Sequence, residues 1–112
     1  MHVHVELKKV LRIGKSLSFI LPSVISRSLS VNPSTRFYVF MDGDSIVYSL
    51  EPPEGTIYAV VKARLQSRTR GHEYYVLTIP HTYAKVLGIN VGDKVVVELD
   101  ETGKRVILRK YR

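Results

Sequence analysis

Two short windows of this 112-residue sequence carry bases and no acids: Lys8, Lys9, Arg12 and Lys15 in the first half, and Lys62, Arg64, Arg68 and Arg70 in the second. Bases at this density suit an anionic partner. A guanidinium fork can hold a phosphate, or the O6 and N7 edge of guanine, bidentately, and a lysine adds an oriented point charge. The formal charge is +7, from 17 Lys and Arg against 10 Asp and Glu. Residues 1–56 hold six bases and five acids, whereas residues 57–112 hold eleven and five, so the excess sits in the second half. The acids come later in each half, at Asp42 and Asp44, and at Asp93, Glu98, Asp100 and Glu101. A merely solvated surface mixes its signs, and segregation of this kind suits an anionic partner. For Lys8, Lys9 and Lys62, protection of a soluble sheet edge is an equal explanation. Lys104, Arg105, Arg109, Lys110 and Arg112 fit solubilising charge and a second anionic contact equally well.

Other chemistries lack their residues. Cysteine is absent, which removes disulfides, thiolate catalysis and Cys-based zinc sites. His2 and His4 would share one face of a strand, but no third ligand is evident, so a polar pair is expected and no metal. Asp42-Gly43-Asp44 lacks the further ligands of a calcium loop and reads as a hairpin turn. There is no Gly-rich phosphate loop, HExxH or GxSxG motif, and no arrangement of His and Asp singles out a nucleophilic serine. The expectation is a non-enzyme without a cofactor. Seven tyrosines, Tyr74 and Tyr75 among them, read as half-buried strand residues in preference to base-stacking platforms.

The elements that must position the bases follow from length and pattern. The chain has one domain's worth of residues, 45% of them hydrophobic, with no apolar run long enough for a membrane helix. Residues 1–9 alternate polar and apolar where a signal peptide would be continuously apolar, so a cytoplasmic protein is expected, and nucleoid association follows only if the chain binds DNA. Residues 17–42 align without gaps on residues 75–100, an offset of 58. Pro22 meets Pro80, Leu29 meets Leu87, Asn32 meets Asn90, Val39 meets Val97 and Asp42 meets Asp100, while Arg27 pairs with Lys85 and Arg36 with Lys94. Gly14 meets Gly71 once small gaps are allowed. Glu51-Pro52-Pro53-Glu54-Gly55 separates the halves, giving repeat one as 1–53 and repeat two as 54–112.

Each half reads as strand, glycine turn, strand, short helix, loop, strand, turn, strand. Val3, Val5 and Leu7 alternate along the first strand, and a second runs from about Leu17 to Leu21. Pro22 starts a helix with Ile25 and Leu29 on one face. Pro80 starts another with Tyr83, Val86 and Leu87 on one face, ending at Gly88 in the left-handed C′ position. Arg36 to Met41 should pair with Ser45 to Leu50, and Lys94 to Leu99 with Arg105 to Lys110, across Asp42-Gly43-Asp44 and Asp100-Glu101-Thr102-Gly103. Neither half is large enough for a core of its own, so the two should interleave into one body.

Gly71-His72-Glu73-Tyr74-Tyr75-Val76-Leu77-Thr78-Ile79-Pro80, followed by Leu87-Gly88-Ile89-Asn90-Val91-Gly92-Asp93-Lys94-Val95-Val96-Val97, resembles the AbrB/SpoVT swapped-hairpin family. Arg12-Ile13-Gly14-Lys15-Ser16 and Leu21-Pro22 resemble its MazE-type branch. The resemblance implies a mainly β protein with short helices: a swapped-hairpin β-barrel formed by two tandem repeats in one chain, hence a single pseudo-dimeric DNA-binding barrel. It places Arg12, Lys15 and Ser16 on DNA-contact positions, with Arg68 and Arg70 beside the equivalent glycine. Where relatives often carry a base two positions before the proline, this chain has Ile20 and Thr78, and asymmetry between the half-sites is expected.

The implied function is that of a DNA-binding transcriptional regulator, with Lys8, Lys9, Arg12, Lys15, Ser16, Arg64, Arg68 and Arg70 as contacts and a homodimer as the working form. The alternatives are a MazE-type antitoxin, whose partner is a toxin protein, and a sequence-tolerant architectural chromatin protein. A toxin-wrapping tail is not expected after the last strand, which favours the regulator.

Overall fold

The computed structural model describes residues 4–100, 102 and 104–111. The expected strand start at Val3, His2 of the histidine pair, Glu101 and Gly103 of the last turn, and Arg112 lie outside the described residues. The fold is mainly β with two short helices, as expected. In chain order the elements are β1 (Val5–Lys9), β2 (Leu11–Ile13), β3 (Ser16–Ile20), α1 (Ser23–Ser28), β4 (Arg36–Asp42), β5 (Ser45–Ser49), β6 (Ala59–Lys62), β7 (Arg64–Thr69), β8 (His72–Ile79), α2 (His81–Leu87), β9 (Lys94–Asp100) and β10 (Arg105–Lys110).

The strands form two antiparallel sheets, one ordered β1-β9-β10-β5-β4-β6 and the other β2-β3-β8-β7. Both orders read the same from either edge once β1–β5 are exchanged for β6–β10. The registers follow the same exchange: Lys9 lies opposite Lys94 on one side, and Lys62 opposite Arg36 on the other. Phe19 faces Leu77 in the β3–β8 ladder, and Val47 faces Ile107 between β5 and β10. The first strand of each half pairs with the closing hairpin of the other, so the halves are interleaved. The chain passes between sheets at Val10 and Ala63, both buried. The Val10 N–H donates to the Asp93 carbonyl at 2.8 Å, and the Ala63 N–H to that of Thr35 at 2.9 Å.

The core lies between the sheets. Phe19, Leu77 and Ile79 from one meet Phe37, Val39, Tyr48, Val95, Val97 and Leu108 from the other. Tyr48 stands edge-on to Phe19 and Phe37, with ring centroids 5.6 and 6.2 Å away, and its hydroxyl donates to the Thr78 carbonyl at 2.8 Å across the sheets. Tyr48 and Tyr75 are buried, in keeping with a packing role.

Pro22 and Pro80 are the N-caps of the two helices. In α2 the buried residue is Ala84, while Val86 is 70% exposed, which corrects the expected face of Tyr83, Val86 and Leu87. The inner face runs through Tyr83, Ala84 and Leu87, and Val86, two residues past Ala84, is carried about 200° around the helix. Beyond both helices the backbone closes alike: Ser30 and Gly88 donate to the Arg27 and Lys85 carbonyls, and Val31 and Ile89 to those of Ser26 and Ala84. This is the Schellman pattern, with its C′ residue at positive φ, 54° for Ser30 and 68° for Gly88. Ser30→Gly is therefore expected to stabilise the fold by about 0.5 kcal/mol, and Gly88→Ser to cost about 1 kcal/mol, in denaturant unfolding.

On β1 the apolar residues face outward. Val5 and Leu7 are about half exposed, whereas His4, Glu6 and Lys8 lie on the inner side, half-buried. The register explains this: Glu6 and Lys8 sit opposite the core residues Val97 and Val95, so the alternation continues inward to Val10.

Candidate nucleic-acid interface

The first hairpin turns through Gly14 and Lys15, between the paired residues Ile13 and Ser16. Gly14 has φ 62°, the positive value a two-residue turn of the II′ kind needs at its first central position. Lys15 is thereby set at the tip, Arg12 on the exposed side of β2, and Ser16 at the exposed start of β3. Among the described residues neither Arg12 nor Lys15 has a carboxylate within ion-pair distance. They are uncompensated charge.

The second hairpin is longer and turns through Arg70 and Gly71, at φ 51° and 79°, both positive as in a I′ turn. Counted back from the turn, Arg68 occupies the place of Arg12, but its situation differs. Its Nε donates to Glu73 Oε2 at 2.9 Å, and the Tyr75 hydroxyl donates to Glu73 Oε1 at 3.2 Å. Burial and the Glu73 carboxylate both push the Tyr75 phenol up, so it stays a donor. Arg64 and Arg70 are exposed. Arg70 holds a left-handed conformation that asparagine tolerates better, so Arg70→Asn is expected to keep or raise stability, by up to about 0.5 kcal/mol, while lowering duplex affinity about threefold. Unfolding and anisotropy titrations on the one variant check both halves of this expectation.

The other first-half bases separate. Lys8 is half-buried with Nζ 3.2 Å from Glu6 Oε1, and His4 Nε2 lies 2.7 Å from Glu6 Oε2. The His4 hydrogen bond, joined by Lys8, holds the Glu6 carboxyl below the usual carboxylate range. Lys8 is thus engaged within its own strand. Lys9 is exposed and lies directly across from Lys94, as Lys62 does from Arg36, and like charges placed opposite one another cost stability.

Lys9 and Arg12 line one open cleft of about 500 Å³. Arg12 continues with Lys15 and Ser16 into a second, of about 530 Å³, whose far wall includes His81 and Lys85 from α2. One basic strip therefore runs Lys9, Arg12, Lys15, Lys85. The sequence reading missed His81 and Lys85; the available signal was the alignment of Arg27 with Lys85, a base recurring on each helix. At the end of the chain Arg109 Nη2 lies 3.5 Å from Glu98, while Lys110 Nζ donates to the Gly88 carbonyl at 2.7 Å and lies 3.8 Å from Asp93. These two bases have internal work. No group of three or more His, Asp or Glu that would hold a metal occurs among the described residues, and none of their helices is long and apolar enough to cross a membrane.

Residues 68–112, from the end of β7 through β10, match the family model described as "Antidote-toxin recognition MazE, bacterial antitoxin". No curated protein and no solved structure matches the chain. The matched segment covers the second hairpin turn, α2 and the closing hairpin, and in sequence and fold it is similar to the AbrB/MazE-like superfamily.

Proposed function

We propose that this protein is a DNA-binding transcriptional regulator of the AbrB-like kind, built as a tandem of two swapped-hairpin repeats, 1–53 and 54–112, that together make a single DNA-binding unit. The observation that carries the reading is the strip formed by Lys9, Arg12 and Lys15, exposed and without carboxylate partners among the described residues. Such a strip gains by neutralising phosphates and releasing their counterions. Phosphate contacts supply the affinity, while Arg64 and Arg70 at base edges, or the shape of the duplex, supply selectivity. The role is one of binding rather than catalysis, the site is cytoplasmic and nucleoid-associated, and the working form is a homodimer. Light scattering at micromolar concentration should show twice the chain mass; a clean monomer would remove the dimer.

Fluorescence anisotropy with a selected duplex and its single base-pair variants tests the function. A specific regulator loses about 1–3 kcal/mol per mismatched position, and uniform affinity across variants would instead mean an architectural, sequence-tolerant binder. One observation favours a second reading. The family model is described by toxin recognition, and one sheet edge exposes Val5 and Leu7 on β1, while the opposite edge exposes Val60 on β6, preceded by the exposed Tyr58 and the 90% exposed Ile57. Apolar edges of this kind fit a protein partner, as in an antitoxin that neutralises a toxin. Association with a toxin protein that leaves duplex binding absent would favour it.

A further inference from the structure

Two clefts occupy corresponding places, each between the turn of one hairpin and the helix of the other half. The first, of about 530 Å³, is lined by Arg12, Lys15 and Ser16 from the β2–β3 hairpin and by His81, Lys85 and Asn90 from α2 and the loop after it. The second, of about 430 Å³, is lined by His72, Glu73 and Tyr75 from the β7–β8 hairpin and by Ser23, Arg27 and Ser30 from α1 and its end. Lys85 and Arg27 match in the alignment of the halves, yet the surroundings differ in charge. The first cleft gathers three permanent cations and an imidazole, and among the described residues no carboxylate lines it. Among the described residues the second offers Arg27 as its permanent cation and contains Glu73, which is fixed in place by Arg68 and Tyr75.

We propose that the first cleft is a phosphate pocket for a DNA backbone phosphodiester, that Lys85 and His81 complete the ligand set begun by Arg12, Lys15 and Ser16, and that the second cleft takes no phosphate. The inference rests on the DNA-binding reading above and deepens it: the chain grips the duplex asymmetrically. Like charges converging in a concave site raise the local potential and repel one another until an anion enters. The Ser16 hydroxyl supplies a neutral donor beside the charges, while the Asn90 amide donates to the Gly88 carbonyl at 3.4 Å. In the second cleft Glu73 both repels a phosphate and occupies Arg68, so the same fold presents no such field. The pocket needs both halves, because its hairpin comes from the first and its helix from the second.

The test compares the matched pair Lys85→Gln and Arg27→Gln, with Lys85→Arg as rescue, by anisotropy on a mixed-sequence duplex over a salt series. Both side chains are exposed, so the variants should fold as the wild type does. Lys85→Gln is expected to lower affinity about tenfold and to reduce the salt slope by about one, Lys85→Arg to restore both, and Arg27→Gln to change affinity less than about twofold. Glu73→Gln, which frees Arg68, should raise affinity. Equal losses at Lys85 and Arg27, or no loss at Lys85 with a wild type that binds, would overturn the asymmetric pocket and leave the DNA reading intact. A wild type that ignores duplex overturns both. In that case, chemical-shift changes at His81 on adding inorganic phosphate would reassign the cleft to a small phosphorylated ligand, against the proposal.

Discussion

Replacing Arg12 and Lys15 together by glutamate is expected to lower affinity for a mixed-sequence duplex by about 100-fold at low salt and to flatten the salt dependence by about two units of slope. Both side chains are exposed on a hairpin whose turn is set by Gly14, and neither has a carboxylate partner among the described residues, so folding does not depend on them. The thermal midpoint of the double variant should match that of the wild type. The loss is larger than for Arg70→Asn because two charges are reversed within one continuous strip, and each reversal puts repulsion where a released counterion had been gained. Wild-type affinity in a folded double variant would mean that the duplex meets a different face.

The largest effect on stability is expected at Tyr48. Tyr48→Ala removes a side chain that is fully buried between Phe19 and Phe37 and deletes the hydroxyl bonded to Thr78. Loss of the apolar contact plus the cavity left behind costs about 4 kcal/mol. Against a total of about 5–15 kcal/mol for a domain, this leaves the protein marginal or unfolded at physiological temperature. Tyr48→Phe keeps the ring contacts and strands the Thr78 carbonyl, at a cost of about 1–2 kcal/mol. Burial also pushes the Tyr48 phenol far above its ordinary value, so the folded state holds a proton that the unfolded chain releases. Stability should therefore be retained below pH of about 10 and fall as pH rises beyond it, and Tyr48→Phe should remove part of that alkaline loss. Urea unfolding at neutral and alkaline pH measures both effects.

Much of this architecture is legible in the residues. Pro22 and Pro80 announce the helix starts because proline fits the opening of a helix and stops the strand before it, and Gly88 announces one helix end because it accepts a left-handed backbone. Asp42-Gly43 and the alternating Val95, Val97 and Leu99 place the closing hairpins. What stayed hidden was which face of a strand turns inward and which charges meet. Val5 and Leu7 alternate like a buried face, yet the β1–β9 register puts Glu6 and Lys8 inside, a choice set by the partner strand and invisible in a single segment. Val86 belonged to an apolar trio only until α2 was laid on the sheet with Ala84 beneath it. For the binding residues, the acid-free windows identified Arg12, Lys15 and Arg68, but Glu73 lies five residues beyond Arg68 and across the turn from it, so its neutralising contact appears only in the folded hairpin. Lys85 joins Arg12 and Lys15 by the interleaving of the halves, over a sequence distance that charge windows do not span.

The most direct measurement is the affinity of the wild-type protein for a mixed-sequence duplex over a salt series. The expected result is that log K falls with log salt at a slope of about −4 or steeper, as the neutralisation of several phosphates by Lys9, Arg12, Lys15 and the second-half bases requires. Absence of binding even at low salt would contradict it and would give the basic strip to a protein partner or to solubility.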